Sequence, residues 1–310
     1  MTKTGWKTLG LLPVGVAAAA GVKITVTYMW TNLWPTDCRT KRPRQTAQCR
    51  GPQGLARSRR SLLGGPFRTK MRMYTGQGPR NMLDKASCRD WMAEMKASKA
   101  GWTAFKLGPP GGFGGGDGER PQRTREATPG QEPPNGFARP AQNNRVYSRK
   151  QLIDIQQGFE NVREAIGWER DVMFHGQWNY DFLAAIQLSQ PLETVKPLWI
   201  EDPLPPEFSN AWVRLTEASK VPILTGENLG RRQDWMPFFE QKGIHIGQLD
   251  VRNTGGLLES KKIADLADVH LIPMCAHDTA SIVCNYGVLH WACAVRGSST
   301  PLGGGLAGPR

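Results

Sequence analysis

Five polar residues recur at nearly constant spacing through the middle of the chain: His175, Glu201, Glu227, Asp250 and His277, in steps of 26, 26, 23 and 27 residues. Two Glu, one Asp and two His form a set that can hold a divalent cation on hard oxygen donors. The same set can move a proton near neutral pH. Each of the five ends, or closely follows, an apolar stretch: DVMFH, PLWIE, VPILT, HIGQL and LIPMC. Lys106 ends a sixth such stretch, Trp102–Lys106.

The spacing dictates what must position these side chains. About 25 residues is the length of one βα unit: a buried strand, a short loop, a helix and a return loop. Successive parallel strands bring their C-terminal ends to one mouth, where barrel enzymes keep their chemistry. The pattern predicts seven strands, at about 70–74, 102–106, 171–175, 197–201, 221–225, 245–249 and 270–274. Helices are predicted over 86–100, 149–168, 180–193, 210–218, 232–241, 257–266 and 280–295. The fold class is therefore α/β, an incomplete (β/α) barrel of about seven strands. The stretch after Arg296, GSSTPLGGGLAGPR, reads without strand character, which would leave strands one and seven as open edges.

Outside the repeat the composition changes. Residues 1–80 carry 15 Lys/Arg against the single acid Asp37, whereas residues 81–310 carry 25 Lys/Arg and 26 Asp/Glu. The basic character thus belongs to the N-terminal arm. Its run 36–60 lacks the aromatic interleaving that stacks on bases, so no specific nucleic-acid partner is expected. Residues 1–61 read as a degenerate or disordered basic region, 62–296 as the catalytic barrel, and 297–310 as a disordered tail. A Gly/Pro/Arg-rich insertion occupies 109–144; its GGFGGGDGE lacks the GK[ST] ending of a phosphate loop. Lys3 and Lys7 before LGLLPVGVAAAAGV have the shape of an export signal, too short and broken to span a membrane. A cytoplasmic protein and an exported one both stay open. The six cysteines form no CxxC pair and indicate no disulfide framework.

At IEDP (200–203), TGEN (225–228) and LDVRNTGG (249–256) the sequence resembles the enolase superfamily, and within it the mandelate racemase and galactonate-type sugar-acid dehydratase group. The resemblance covers about residues 62–296 and implies a capped barrel holding Mg2+, or Mn2+, on three strand-end carboxylates. It implies Glu201 and Glu227 as two of these ligands. Asp250 and His277 match the family's acid–base dyad. His175, in FHGQWN, matches the histidine that protonates a departing hydroxyl, and Lys106 a lysine that assists the substrate carboxylate. A solvated strand-end lysine would account for Lys106 equally well. Arg252 and Asn253 fall in the mouth wall. The implied partner is a small sugar acid, in an enzyme that forms homo-oligomers.

The sequence departs from that pattern in two places. Met173 stands where the first metal carboxylate is expected, and a thioether is a poor ligand for Mg2+. Three outcomes stay open: His175 takes that place, which would favour a softer metal such as Mn2+ or Zn2+; Asn179 or water fills it; or tight metal binding is lost. Residues 1–61 do not read as the family's capping domain, and the last strand is missing. Four readings follow: a metal-dependent acid-sugar dehydratase; a catalytically impaired, truncated relative; a racemase or epimerase of a carboxylate; and a basic-arm binding protein with the barrel as scaffold.

Overall fold

A computed structural model describes residues 63–111, 147–278, 282–296, 298 and 302–303. The expectations for residues 1–61, and for nearly all of the 109–144 insertion, lie outside these. Strands and helices alternate along the chain. The strands are β1 (Met73–Tyr74), β2 (Ala104–Leu107), β3 (Asp171–His175), β4 (Ile200–Glu201), β5 (Ile223–Thr225), β6 (Ile246–Leu249), β7 (Met274–Ala276) and β8 (Leu302–Gly303). The helices are α1 (Lys85–Ala97), α2 (Arg149–Ile166), α3 (Phe182–Leu192), α4 (Asn210–Ala218), α5 (Arg232–Glu240), α6 (Leu257–Val269) and α7 (Ile282–Ala294).

Strands β2 to β7 form one parallel sheet in chain order. Thr75 at the end of β1 adds a parallel bridge to Phe105 of β2, with Lys106 N donating to Thr75 O at 2.9 Å. β1 in turn pairs in parallel with β8. The tail expected to lack strand character therefore supplies an eighth strand, and the β1 edge is covered. β8 comes close to β7, but no ladder joins them among the described residues, so the barrel is incomplete at that seam.

Local chemistry sets the helix limits. Ser148 and Gln151 form a capping box at the start of α2, and Gly167 ends the helix at φ 71°, a conformation glycine adopts without a Cβ clash. Asp84 and Asp181 accept from the first-turn amides of α1 and α3. Ile155, Phe159, Val162 and Ile166 give α2 its buried stripe. Strands β5, β6 and β7 are buried along their whole length, as parallel strands covered on both faces must be. Trp199, Trp212, Trp235 and Trp291 are fully buried in the core.

One strand lies later than its sequence pattern implied. The stretch 270–274 was expected as a strand, but α6 continues to Val269, His270 caps it, and Leu271 is exposed at φ 59°. The strand begins only at Met274. Both ends of the described chain are tied together. Phe67 N donates to Cys293 O, and the Arg68 guanidinium donates to the carbonyls of Ala292, Val295 and Arg296. An arginine on the last carbonyls of α7 satisfies groups the helix leaves unpaired.

Candidate metal centre and acid–base pair

The register brings the predicted residues to one end of the sheet. His175 pairs with Glu201 across β3 and β4, and Lys106 pairs with Met173 across β2 and β3. Glu227 follows β5 by two residues, Asp250 follows β6 directly, and His277 follows β7 directly. All six candidate residues thus stand at strand ends.

Two glycines set the backbone here. A Cβ on Gly176 would press on Glu201 and Asp202 carbonyls at 3.0 and 2.9 Å, so the turn after His175 lies directly on the end of β4. Gly226, before Glu227, holds φ 133° with Trp235 packed where a Cβ would be. Larger residues at either position would displace the neighbouring site residue.

The half formed by β2 to β5 is a cluster of buried charge. Lys106 Nζ lies 2.5 Å from Glu201 Oε1, and Trp199 Nε1 donates to Glu201 Oε2 at 3.1 Å. His175 Nε2 is 3.8 Å from Glu201 Oε1. Asp202, which sequence reasoning passed over, joins them: it is fully buried, and Thr225 Oγ1 donates to its Oδ1 at 2.5 Å. Its Oδ2 has no hydrogen-bond partner. One donor atom each from His175, Glu201, Asp202 and Glu227 lies within 4.8 Å of all the others. A nitrogen and three carboxylate oxygens at that mutual distance fit a divalent cation.

The electrostatics agree with this reading. Burial, then the charges of Glu227 and Glu201, push the Asp202 carboxyl well above its usual range. Burial also pushes Glu227 up, against the pull of His277. Glu201 is shifted the other way: burial opposes ionisation, but the Lys106 charge and the hydrogen bonds from Lys106 and Trp199 outweigh it. Lys106 keeps its proton despite burial because Glu201 holds it. Burial and the Lys106 ammonium drive the His175 imidazole down to about 3, leaving it neutral. The protein's own cation thus balances one carboxylate of three.

The half formed by β6 and β7 is different. His277 Nδ1 lies 3.0 Å from Asp250 Oδ2. Arg252 donates to Asp250 from its backbone N at 2.8 Å and from its guanidinium at 2.5 Å. Burial would raise Asp250, but these bonds hold its carboxyl well below the usual range. Asp250 therefore stays ionised and fixes the imidazole ring. His277 Nε2 points toward Glu227, with Oε2 at 3.2 Å, a contact that does not meet hydrogen-bond geometry. Asn253 donates to the Glu227 carbonyl at 2.6 Å and fixes that turn. Arg252 and Asn253, expected in the mouth wall, hold Asp250 and the Glu227 turn. Tyr74 is a further residue the sequence did not single out: its ring lies 5.1 Å from Lys106 Nζ, and its hydroxyl accepts from Gln248.

Residues 87–302 match the model of the enolase C-terminal domain-like family. The chain belongs to that family. Among proteins similar to this family member, the D-xylonate dehydratase of Haloferax volcanii is 36% identical over 122 residues, 39% of this chain and 30% of the relative. The D-galactonate dehydratase of Ralstonia pickettii is 29% identical over 220 residues, 70% of this chain and 47% of the relative. A mandelate racemase/muconate lactonizing enzyme-like protein from Rubrobacter xylanophilus superposes with a TM-score of 0.63 at 26% identity, over 79% of this chain and 59% of its own. The chain spans about half or less of the length of the curated relatives it matches. Among the described residues no helix is long and apolar enough to cross a membrane.

Proposed function

We propose that this chain carries the catalytic barrel of a metal-dependent sugar-acid dehydratase. The observation that carries the proposal is the placement of a cation-binding carboxylate cluster beside an Asp-oriented histidine, at the strand ends of one sheet. The names of the similar dehydratases supply the substrate class, a polyhydroxylated carboxylic acid.

Glu201 and Glu227 would hold the divalent cation, Mg2+ by family resemblance. When bound, that ion supplies positive charge for the substrate carboxylate and for the negative charge that develops as the α-proton leaves. Lys106, held as a cation by Glu201, adds to that charge at the β2 edge of the site. His277 takes the α-proton, with Asp250 fixing its ring and stabilising the imidazolium that results. The Cα–H electrons form the new double bond as the Cβ–O bond breaks. The departing hydroxyl takes a proton and leaves as water. The enol then tautomerises to a 2-keto-3-deoxy acid.

The family resemblance assigns the leaving-group proton to His175. That step needs an imidazolium, and the buried His175 is neutral beside Lys106. The imidazolium formed at His277 is the better acid, so the hydrogen and hydroxyl are expected to leave from one face of the substrate. A two-base racemase is less well supported. Its second base would be Lys106, which is committed as a cation to Glu201.

The test is to incubate the metal-loaded chain with a panel of aldonic and aldaric acids and assay 2-keto acids by semicarbazide trapping. Turnover of at least one substrate, lost in His277→Asn, supports the reading. Metal binding without turnover of any acid in a folded sample would leave the impaired-relative reading in its place.

A further inference from the structure

The metal site of this chain departs from a plain carboxylate set, and the departure points to a different ion. Met173 is fully buried within β3, between Val172 and Phe174, and offers only a thioether. Asn179 donates its amide nitrogen to the Gly176 carbonyl at 3.1 Å, which fixes that side chain on the turn after His175. His175, in contrast, brings a ring nitrogen into the same 4.8 Å cluster as Glu201, Asp202 and Glu227.

Asp202 is the second independent observation. Thr225 holds one of its oxygens at 2.5 Å, while the other is buried with no hydrogen-bond partner among the described residues. A fully buried carboxylate oxygen left in that state is costly unless something binds it. The backbone holds these donors in place. Gly176 N donates to Glu201 O at 2.7 Å, and Trp178 N to Asp202 O at 2.6 Å. Gln177, Trp178 and Asp202 all sit in the left-handed region, at φ 52°, 55° and 48°. At Asp202 this turn breaks the strand alternation that would have sent neighbouring side chains to opposite faces. Glu201 and Asp202 can therefore serve one site.

We propose that His175 and Asp202 complete the cation shell in place of the carboxylate that Met173 replaces, and that the site thereby prefers a softer ion than Mg2+, Zn2+ above all and Mn2+ to a smaller degree. This rests on the metal-dependent reading above and names its cofactor. Imidazole suits Zn2+ and is accepted by Mn2+ more readily than by Mg2+, which favours all-oxygen shells.

The test uses the full chain, stripped with chelator and titrated calorimetrically with Mg2+, Mn2+ and Zn2+. It is repeated on His175→Asp, His175→Gln and Asp202→Asn, each checked for folding by circular dichroism. Because most nitrogen and oxygen sites bind Zn2+ more tightly than Mg2+, the decisive quantity is the change in the ratio between variants. The Zn2+/Mg2+ and Mn2+/Mg2+ affinity ratios are expected to fall about tenfold or more in His175→Asp, with Mg2+ binding itself strengthened. Asp202→Asn is expected to weaken all three ions by about tenfold or more while leaving the ratios in place.

A second readout is direct. In the Co2+-loaded wild-type chain, a paramagnetically shifted, exchangeable imidazole N–H resonance should appear, and His175→Gln should remove it. Unchanged ratios in His175→Asp, or the same Co2+ spectrum in His175→Gln, would overturn the assignment. The dehydratase reading would survive that result if Glu201→Gln/Glu227→Gln still abolished binding and turnover. Absence of any divalent binding in the folded chain would overturn both.

Discussion

The two halves of the mouth are built on the same repeat but satisfied in opposite ways. On the β6–β7 side, Asp250 is saturated: Arg252 holds it through backbone and guanidinium, and His277 takes its remaining edge. On the β2–β5 side, three buried carboxylates share one ammonium, and oxygens of Asp202 and Glu227 have no hydrogen-bond partner. One half is complete with protein groups alone and has the character of a positioned base. In the other, burial drives Asp202 and Glu227 to hold protons, which a bound cation would displace. On the proposed reading, proton transfer and cation binding are separable, and mutations should part them.

The largest separation is expected from His277→Asn. It should lower kcat by about 100- to 10,000-fold, the usual contribution of a positioned general base. Metal affinity measured by calorimetry should stay close to wild type, because Glu201, Asp202 and His175 are untouched. A parallel loss of metal binding would show that the halves are not independent.

Thr225→Val sharpens the other side. It keeps the shape but leaves both oxygens of buried Asp202 without hydrogen bonds, at a cost of about 1–3 kcal/mol. Thermal melting without metal should drop by several degrees. Saturating divalent cation should recover part of the loss, since the same carboxylate gains a partner.

A pH series checks the charge imbalance. Asp202 and Glu227 have folded pKa values raised above their unfolded ones, so between those limits the folded chain binds more protons than the unfolded chain. Stability from these groups is complete at low pH and is lost as pH rises through the raised values. His175 acts oppositely, but only between about 3 and its ordinary 6.5. Above 6.5 its contribution is flat, so the melting temperature of the metal-free chain should fall with pH and flatten when divalent cation is added. A flat profile without metal would contradict the imbalance.

Arg252→Ala is the smallest change. Its side chain is 43% exposed, so the pair with Asp250 is worth less than about 1 kcal/mol. Turnover should fall by less than about tenfold while metal binding holds.

Much of this arrangement was legible in the chain because spacing carries topology. A polar residue every 23 to 27 positions, after a buried strand, places five residues at one sheet end; those five, and Lys106 outside that spacing, are found there. Asp202 was not legible, because alternation along a strand puts neighbours on opposite faces and its left-handed turn is a tertiary feature. β8 was missed because Leu302–Gly303 is two residues long within a Gly/Pro run, and only pairing with β1 makes it a strand. The end of α6 misled for the opposite reason: LIPMC is apolar throughout, yet its Leu271 is a turn residue in solvent.

The measurement closest to the central claim is a divalent-metal titration of the chelator-stripped chain, by calorimetry and melting temperature, beside Glu201→Gln/Glu227→Gln. The double variant removes two of the three cluster carboxylates while preserving their shape. Saturable binding with a rise in melting temperature is expected for the wild-type chain, with neither in the variant. Equal binding by both chains, or none by a folded, monodisperse wild type, would contradict the assignment of the β2–β5 half as a metal centre.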